Sequence, residues 1–214
     1  MSIPTNSHFN TIVAAGIPME QAKKVLIMLH GRGADADDIL SLADNFIVKD
    51  FALLAPSATN NSWYPQSFLS VPKINEPWLT AALDLLKEIV KEINEKGIAS
   101  ENIYFLGFSQ GACLTLEFVA RNAKRYGGVV AFTGGLIGDK IYNENYSGDF
   151  EGTPIFIGSS DPDMHVPVER VNASSSLLTK MNANVTQKLY LNMGHTINQD
   201  EISIANQFVF HAKK

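Results

Sequence analysis

Cysteine is nearly absent from this chain: Cys113 stands alone among 214 residues. A lone thiol excludes an internal disulfide framework and any metal site built from several thiolates. Basic runs are missing as well, and the formal net charge is -5 at pH 7, so no nucleic-acid partner is expected. No apolar stretch approaches the roughly 18 residues that would span a bilayer, so no integral membrane segment is expected. The opening residues, Met1-Ser2-Ile3-Pro4-Thr5-Asn6, hold no basic segment followed by an apolar one; without a secretory signal the expected location is cytoplasmic. On that reading the Asn-x-Ser/Thr patterns at Asn60, Asn145, Asn172 and Asn184 carry no glycan.

What is present is a chain 45% hydrophobic and 18% charged, able to bury a sizeable core as a single domain over residues 1–214. Runs rich in branched or aromatic residues at 24–29, 51–54, 103–106, 128–132, 154–157 and 186–191 read as strands. Several lack polar alternation, as expected of parallel strands covered on both faces. Helix-like segments at 37–47, 77–95, 111–125, 167–181 and 200–211 separate most of them. In the second of these, Leu79, Leu83, Leu86, Val90 and Ile93 recur at three- and four-residue steps, with Pro77 early and Gly97 beyond the end. The alternation predicts an α/β fold with a mainly parallel, doubly wound sheet. Two irregular stretches, 56–76 and 134–152, read either as loops over a site or as surface connections.

Where the apolar run 102–106 gives way to a helix-like run beginning at Ala112 lies Gly107-Phe108-Ser109-Gln110-Gly111. The G-x-S-x-G spacing in a strand-to-helix context is that of a nucleophile elbow, a tight turn that pushes a serine hydroxyl outward while flanking glycines let backbone crowd close. Ser109 then requires a base. Of the five histidines, His8 precedes the expected sheet and His211 suits the dipole at the end of the last helix. His195 follows the last strand, at the carboxyl edge where such folds bind ligands, and is the candidate general base.

A neutral imidazole needs a carboxylate to hold one tautomer and stabilise its charged form. The acids concentrate in Asp161-Pro162-Asp163-Met164-His165-Val166-Pro167, after the strand 154–157. Asp163 is preferred, with Asp161 its rival; Asp161, Asp163 and His165 read as metal ligands are the weaker alternative, and no metal or cofactor is expected. The loop His30-Gly31-Arg32-Gly33-Ala34-Asp35 has the small residues that let an amide face a developing oxyanion, so the amides of Arg32 and Gln110 are the candidate donors. It lacks the endings of a phosphate-binding loop. Candidate substrate-binding residues are His30 and Gly31 in that loop and Trp63 and Tyr64 in the first long loop, where an aromatic cluster walls a pocket or simply packs in the core. Cys113, one helical turn beyond Ser109, reads as a buried thiol rather than a second nucleophile.

Taken together, Leu29-His30-Gly31-Arg32-Gly33-Ala34-Asp35, Gly107-Phe108-Ser109-Gln110-Gly111, the element Asp163 to Pro167 and Gly194-His195 make the chain, nearly end to end, resemble the phospholipase/carboxylesterase family of α/β hydrolases. The resemblance implies an α/β-hydrolase fold without a large lid, Ser109 as nucleophile, His195 as base, Asp163 as orienting acid and the amides of Arg32 and Gln110 as oxyanion donors. It also implies a small-molecule ester substrate, thioesters and lysophospholipids included, and a homodimer as one assembly. Two positions depart from the pattern: Ala112 stands where many relatives carry another glycine, and Asp161-Pro162 lets the family's Asp-Pro pair be laid on either aspartate. Dienelactone hydrolase-like ring opening is an alternative, but those relatives carry cysteine where this chain has Ser109. A non-catalytic ligand-binding protein on the same scaffold is the alternative from another class.

Overall fold

A computed structural model describes residues 11–210. His8 and His211 lie outside the described residues. Among the described residues, seven strands form one sheet in the order β1-β3-β2-β4-β5-β6-β7, in which only β1 (Ile12–Gly16) runs antiparallel to its neighbour. The parallel members are β2 (Lys24–Leu29), β3 (Phe51–Pro56), β4 (Ile103–Phe108), β5 (Gly128–Phe132), β6 (Pro154–Asp161) and β7 (Asn184–Leu191).

Period-two alternation of apolar residues feeds two cores, one on each face. Val25, Ile27 and Leu29 of β2 join the core shared with α2 (Trp78–Glu95), α3 (Gln110–Arg121) and α4 (Val168–Lys180). Leu26 and Met28 join the core under α1 (Ala36–Leu40) and α5 (Gln199–Ala205). The uninterrupted run Val25-Leu26-Ile27-Met28-Leu29 is wholly buried because both of its faces are covered. Among the described residues, no helix is long and apolar enough to cross a membrane.

Three elements differ from their sequence expectation. The edge strand β1 was not anticipated; its Ile12-Val13-Ala14-Ala15-Gly16 is short, built partly of small residues and largely exposed at the sheet edge. The segment 37–47 forms only the short α1, opened by an Asp35–Asp38 capping box, then a 3₁₀ turn at Ser41–Asn45. The last helix gives way to a π-type turn over Asn206–Phe210, where Val209 and Phe210 are buried. Because parallel strands all point one way, the segments that follow β2, β4, β6 and β7 gather at one edge of the sheet. Those four segments carry Arg32, Ser109, Asp163 and His195.

Candidate functional site

Ser109 sits between β4 and α3 with φ 55° and ψ -117°, a region a side chain enters at a cost on the order of 1–3 kcal/mol. The surroundings hold it there: the Ser109 amide donates to the Phe132 carbonyl at 2.9 Å, and its carbonyl accepts from Cys113 at 3.0 Å. The flanking glycines are required by close approach. A Cβ on Gly111 would collide with the carbonyls of Leu29 and His30, and one on Gly107 with the backbone of Gly111 and Ala112.

The Ser109 side chain makes no cap bond to its own helix. Its Oγ lies 2.8 Å from His195 Nε2, and His195 Nδ1 lies 2.8 Å from Asp163 Oδ2. The other Asp163 oxygen accepts from the amides of His165 at 2.7 Å and Val166 at 2.9 Å. Burial pushes the Asp163 carboxyl upward, but the amide bond from His165, the bond from His195, the amide of Val166 and attraction to His195 together hold it below the ordinary carboxylate range. The Asp163 side chain is fully buried and that of His195 about one quarter exposed, at 23%. The loop carrying His195 is tied to β6, Asn192 donating to the Asp161 carbonyl at 2.9 Å and Gly194 to Ser160 Oγ at 2.9 Å. Asp161 itself is exposed at the end of β6; Asp163 is the aspartate that meets His195.

Gln110 is the first residue of α3, so its amide is one of the four that a helix start leaves without an intrahelical acceptor. Arg32 and Gln110 both line an open cleft of about 460 Å³, together with Ser109 and His195. Their side chains do something the sequence did not suggest. The Arg32 guanidinium donates to Ser62 Oγ at 3.0 Å and to the carbonyls of Tyr64 at 2.9 Å, Pro65 at 3.0 Å and Gln66 at 2.8 Å. Gln110 Oε1 accepts from the Trp63 amide at 2.9 Å, and Gln110 Nε2 donates to the Tyr64 carbonyl at 2.8 Å. Both candidate oxyanion residues thus grip one short loop.

Of the four expected substrate-binding residues, Gly31 and Tyr64 line the cleft, while His30 and Trp63 do not. His30 is fully buried, its Nδ1 donating to the Gly31 carbonyl at 2.8 Å and its Nε2 accepting from the Ala58 amide at 3.0 Å. Burial lowers its pKa and keeps the ring neutral for that paired role. Trp63 lies behind the wall, its Nε1 donating to the His30 carbonyl at 2.9 Å. Aromatic identity flagged the wall but could not say which ring faces inward.

Cys113 forms part of the cleft floor, and burial pushes its thiol up to about 12, so it stays protonated near neutrality. Phe108 and His165, which the sequence reading gave no cleft role, flank the His195 ring at centroid distances of 5.4 Å and 4.9 Å. His165's closeness to Asp163 in sequence was the available signal. Asp161, Asp163 and His165 do not converge; among the described residues no three His, Cys, Asp or Glu side chains group as metal ligands. The 56–76 stretch supplies cleft wall, whereas no residue of 134–152 lines the cleft.

The model of the phospholipase/carboxylesterase family matches residues 10–212. The structure is similar to the crystal structure of a phospholipase/carboxylesterase from Dyadobacter fermentans, with a TM-score of 0.95 and 50% identity over 97% of this chain and 99% of that one. Acyl-protein thioesterase 1 of Saccharomyces cerevisiae is 28% identical over 92% of this chain and 95% of its own length. A probable carboxylesterase of Arabidopsis thaliana, SOBER1-like, is 29% identical over 85% of this chain and 76% of its own.

Proposed function

Because the chain belongs to the phospholipase/carboxylesterase family and is a hydrolase of the carboxylesterase and thioesterase kind, we propose that it cleaves small or medium acyl and aryl esters through a Ser109-linked acyl-enzyme. The observation that carries this reading is the unbroken hydrogen-bonded line from Ser109 Oγ through both nitrogens of His195 to Asp163, at 2.8 Å on either side of the ring.

Facing an ionised carboxylate, Nδ1 carries the ring proton, which leaves the Nε2 lone pair to accept the proton of Ser109. Oγ attacks the carbonyl carbon and the carbonyl oxygen becomes an oxyanion, which receives hydrogen bonds from the Arg32 and Gln110 amides. At the start of α3 the helix dipole adds to that stabilisation. As the tetrahedral centre collapses, His195 returns the proton to the departing alcohol or thiol. A water then enters, gives its proton to His195 and attacks the acyl group, and Ser109 leaves reprotonated. The ionised Asp163 stabilises the imidazolium in both halves without taking its proton. A cleft of about 460 Å³ falls within the roughly 300–1,000 Å³ of small-ligand sites, which favours modest substrates.

The test is hydrolysis of p-nitrophenyl esters from acetate to palmitate, with thioester counterparts, by the wild type and Ser109→Ala. Turnover that vanishes in the variant, with an optimum at short or medium chains, is expected. Turnover that survives Ser109→Ala would sink the serine mechanism, and a palmitate optimum would sink the substrate size.

A further inference from the structure

The cleft contains a second imidazole that the triad chemistry leaves unused. His165 is exposed, lines the cleft and sets its ring 4.9 Å from that of His195 at an interplanar angle of 76°. Its backbone is fixed, because its amide donates to the buried Asp163 carboxylate at 2.7 Å. Among the described residues, its ring makes no hydrogen bond to the protein, while the other cationic or basic groups of the cleft are engaged: Arg32 with four acceptors, His195 at both nitrogens.

Position within the reaction decides which part of a substrate His165 meets. The leaving oxygen must come within hydrogen-bond reach of His195 Nε2, since that nitrogen delivers its proton. A side chain that flanks the His195 ring and opens to solvent therefore borders the path of the alcohol half. On the strength of the proposed serine mechanism, we propose that His165 is a specificity residue which, as an imidazolium, contacts the alcohol half and favours esters whose leaving group carries a carboxylate.

The groups that share its loop or cleft are Asp161, Asp163, His195, Arg32, Tyr64 and Cys113. Asp163 is held ionised and paired, Arg32 keeps its charge, and burial keeps Tyr64 and Cys113 protonated. Asp161 is an exposed carboxylate.

The His195 contribution can be divided out. A matched pair, 4-acetoxybenzoate and its methyl ester, shares one acyl group and one base, so the ratio of their kcat/KM values cancels any pH dependence of the steps they have in common. The benzoate stays ionised throughout. Between about pH 8 and about pH 5.5, where histidine side chains gain a proton, the wild-type ratio of anionic to neutral ester should rise about two- to fivefold, the effect of one solvent-exposed ion pair. His165→Gln should give a low ratio at both pH values, and His165→Lys a high ratio at both. A flat wild-type ratio, or the wild-type rise persisting in His165→Gln, would overturn the assignment while leaving the triad intact. Hydrolysis that persists in Ser109→Ala would remove the mechanism and this assignment with it.

Discussion

The two long loops, 56–76 and 134–152, looked alike in the sequence yet are held by opposite kinds of anchor. The first forms the cleft wall and is fastened from the site side, by the guanidinium of Arg32 and the amide of Gln110. The second stays out of the cleft and is fastened from behind by Glu117 on α3, a fully buried carboxylate. Glu117 accepts from the Ile137 amide at 2.9 Å, the Tyr146 hydroxyl at 2.9 Å and Arg121 Nε at 2.7 Å. A backbone hydrogen bond joins the two loops, Gly138 donating to the Phe68 carbonyl at 2.7 Å. The lesson is that residues in front of the wall are coupled to geometry at Ser109, and residues behind it are coupled to the fold. Substitutions in front should cost turnover and spare stability; those behind should do the reverse.

The largest expected effect is in front. Asp163→Asn keeps the size of the side chain but cannot favour the correct His195 tautomer, so kcat should fall about 10⁴-fold. Asp161→Asn, at the exposed neighbour, should stay within about twofold. Equal and mild losses in the two variants would break the assignment of the acid. Next comes the anchor behind: Glu117→Ala leaves the Ile137 amide and Tyr146 hydroxyl buried without their acceptor, together with a half-exposed Arg121. Removing one member of such a buried network costs about 3–5 kcal/mol. Urea unfolding should register that loss, while kcat/KM per folded molecule stays within about twofold of wild type. A large kcat defect in the folded fraction would mean the rear loop reaches the site after all.

Arg32→Met sharpens the contrast, because the backbone amide of residue 32 survives while its clamp is lost. A misplacement of about 1 Å at a reacting centre can cost about 10²-fold; a looser wall should therefore lower kcat about 10- to 100-fold and change KM far less. Arg32→Lys should recover only part of this, since an ammonium cannot span four acceptors as a planar guanidinium does. Equal changes in kcat and KM would indicate a substrate-binding role instead of a positioning one.

What could be read in advance follows from where chemical identity resides. Five of the six parallel strands announce themselves because burial on both faces demands apolar runs, whereas the partly exposed β7 is marked by its branched and aromatic residues. The edge strand β1 escapes because Ala14 and Ala15 carry little burial signal and its outer face is in water. The meeting of Ser109, Asp163 and His195 was legible as geometry, because few residue types are candidates for nucleophile, acid and base, and sheet topology places those candidates at one edge. The Arg32 clamp was not legible, for its acceptors are mostly backbone carbonyls about thirty positions away, and carbonyls carry no residue identity. His30 misled for a related reason: a histidine at a strand end suggests chemistry, whereas both of its nitrogens serve the backbone of Gly31 and Ala58.

The smallest effect concerns a second buried acid outside the cleft, Glu201 in the first turn of α5. It is fully buried and forms a capping box with Asn198, Oε2 accepting from the Asn198 amide at 2.8 Å, while Oε1 has no partner among the described residues. Burial raises its pKa to about 7, the Asn198 amide offsets part of that, and nearby Asp200 adds to it. Since the folded value lies above the unfolded one, the native state holds a proton that the unfolded chain has already lost. The associated stability is complete below the ordinary glutamate range, about 4.3, and declines as pH rises to about 7. Glu201→Gln keeps an acceptor for the Asn198 amide but has no proton to lose, so its stability should not follow that decline. The difference in unfolding free energy between variant and wild type should thus grow from about pH 4.5 to about pH 7 and level off above it. Turnover at one pH should hardly change, placing Glu201 with Glu117 among the anchors of the fold; a difference that stays constant with pH would mean that Glu201 ionises in the folded protein as readily as in the unfolded chain.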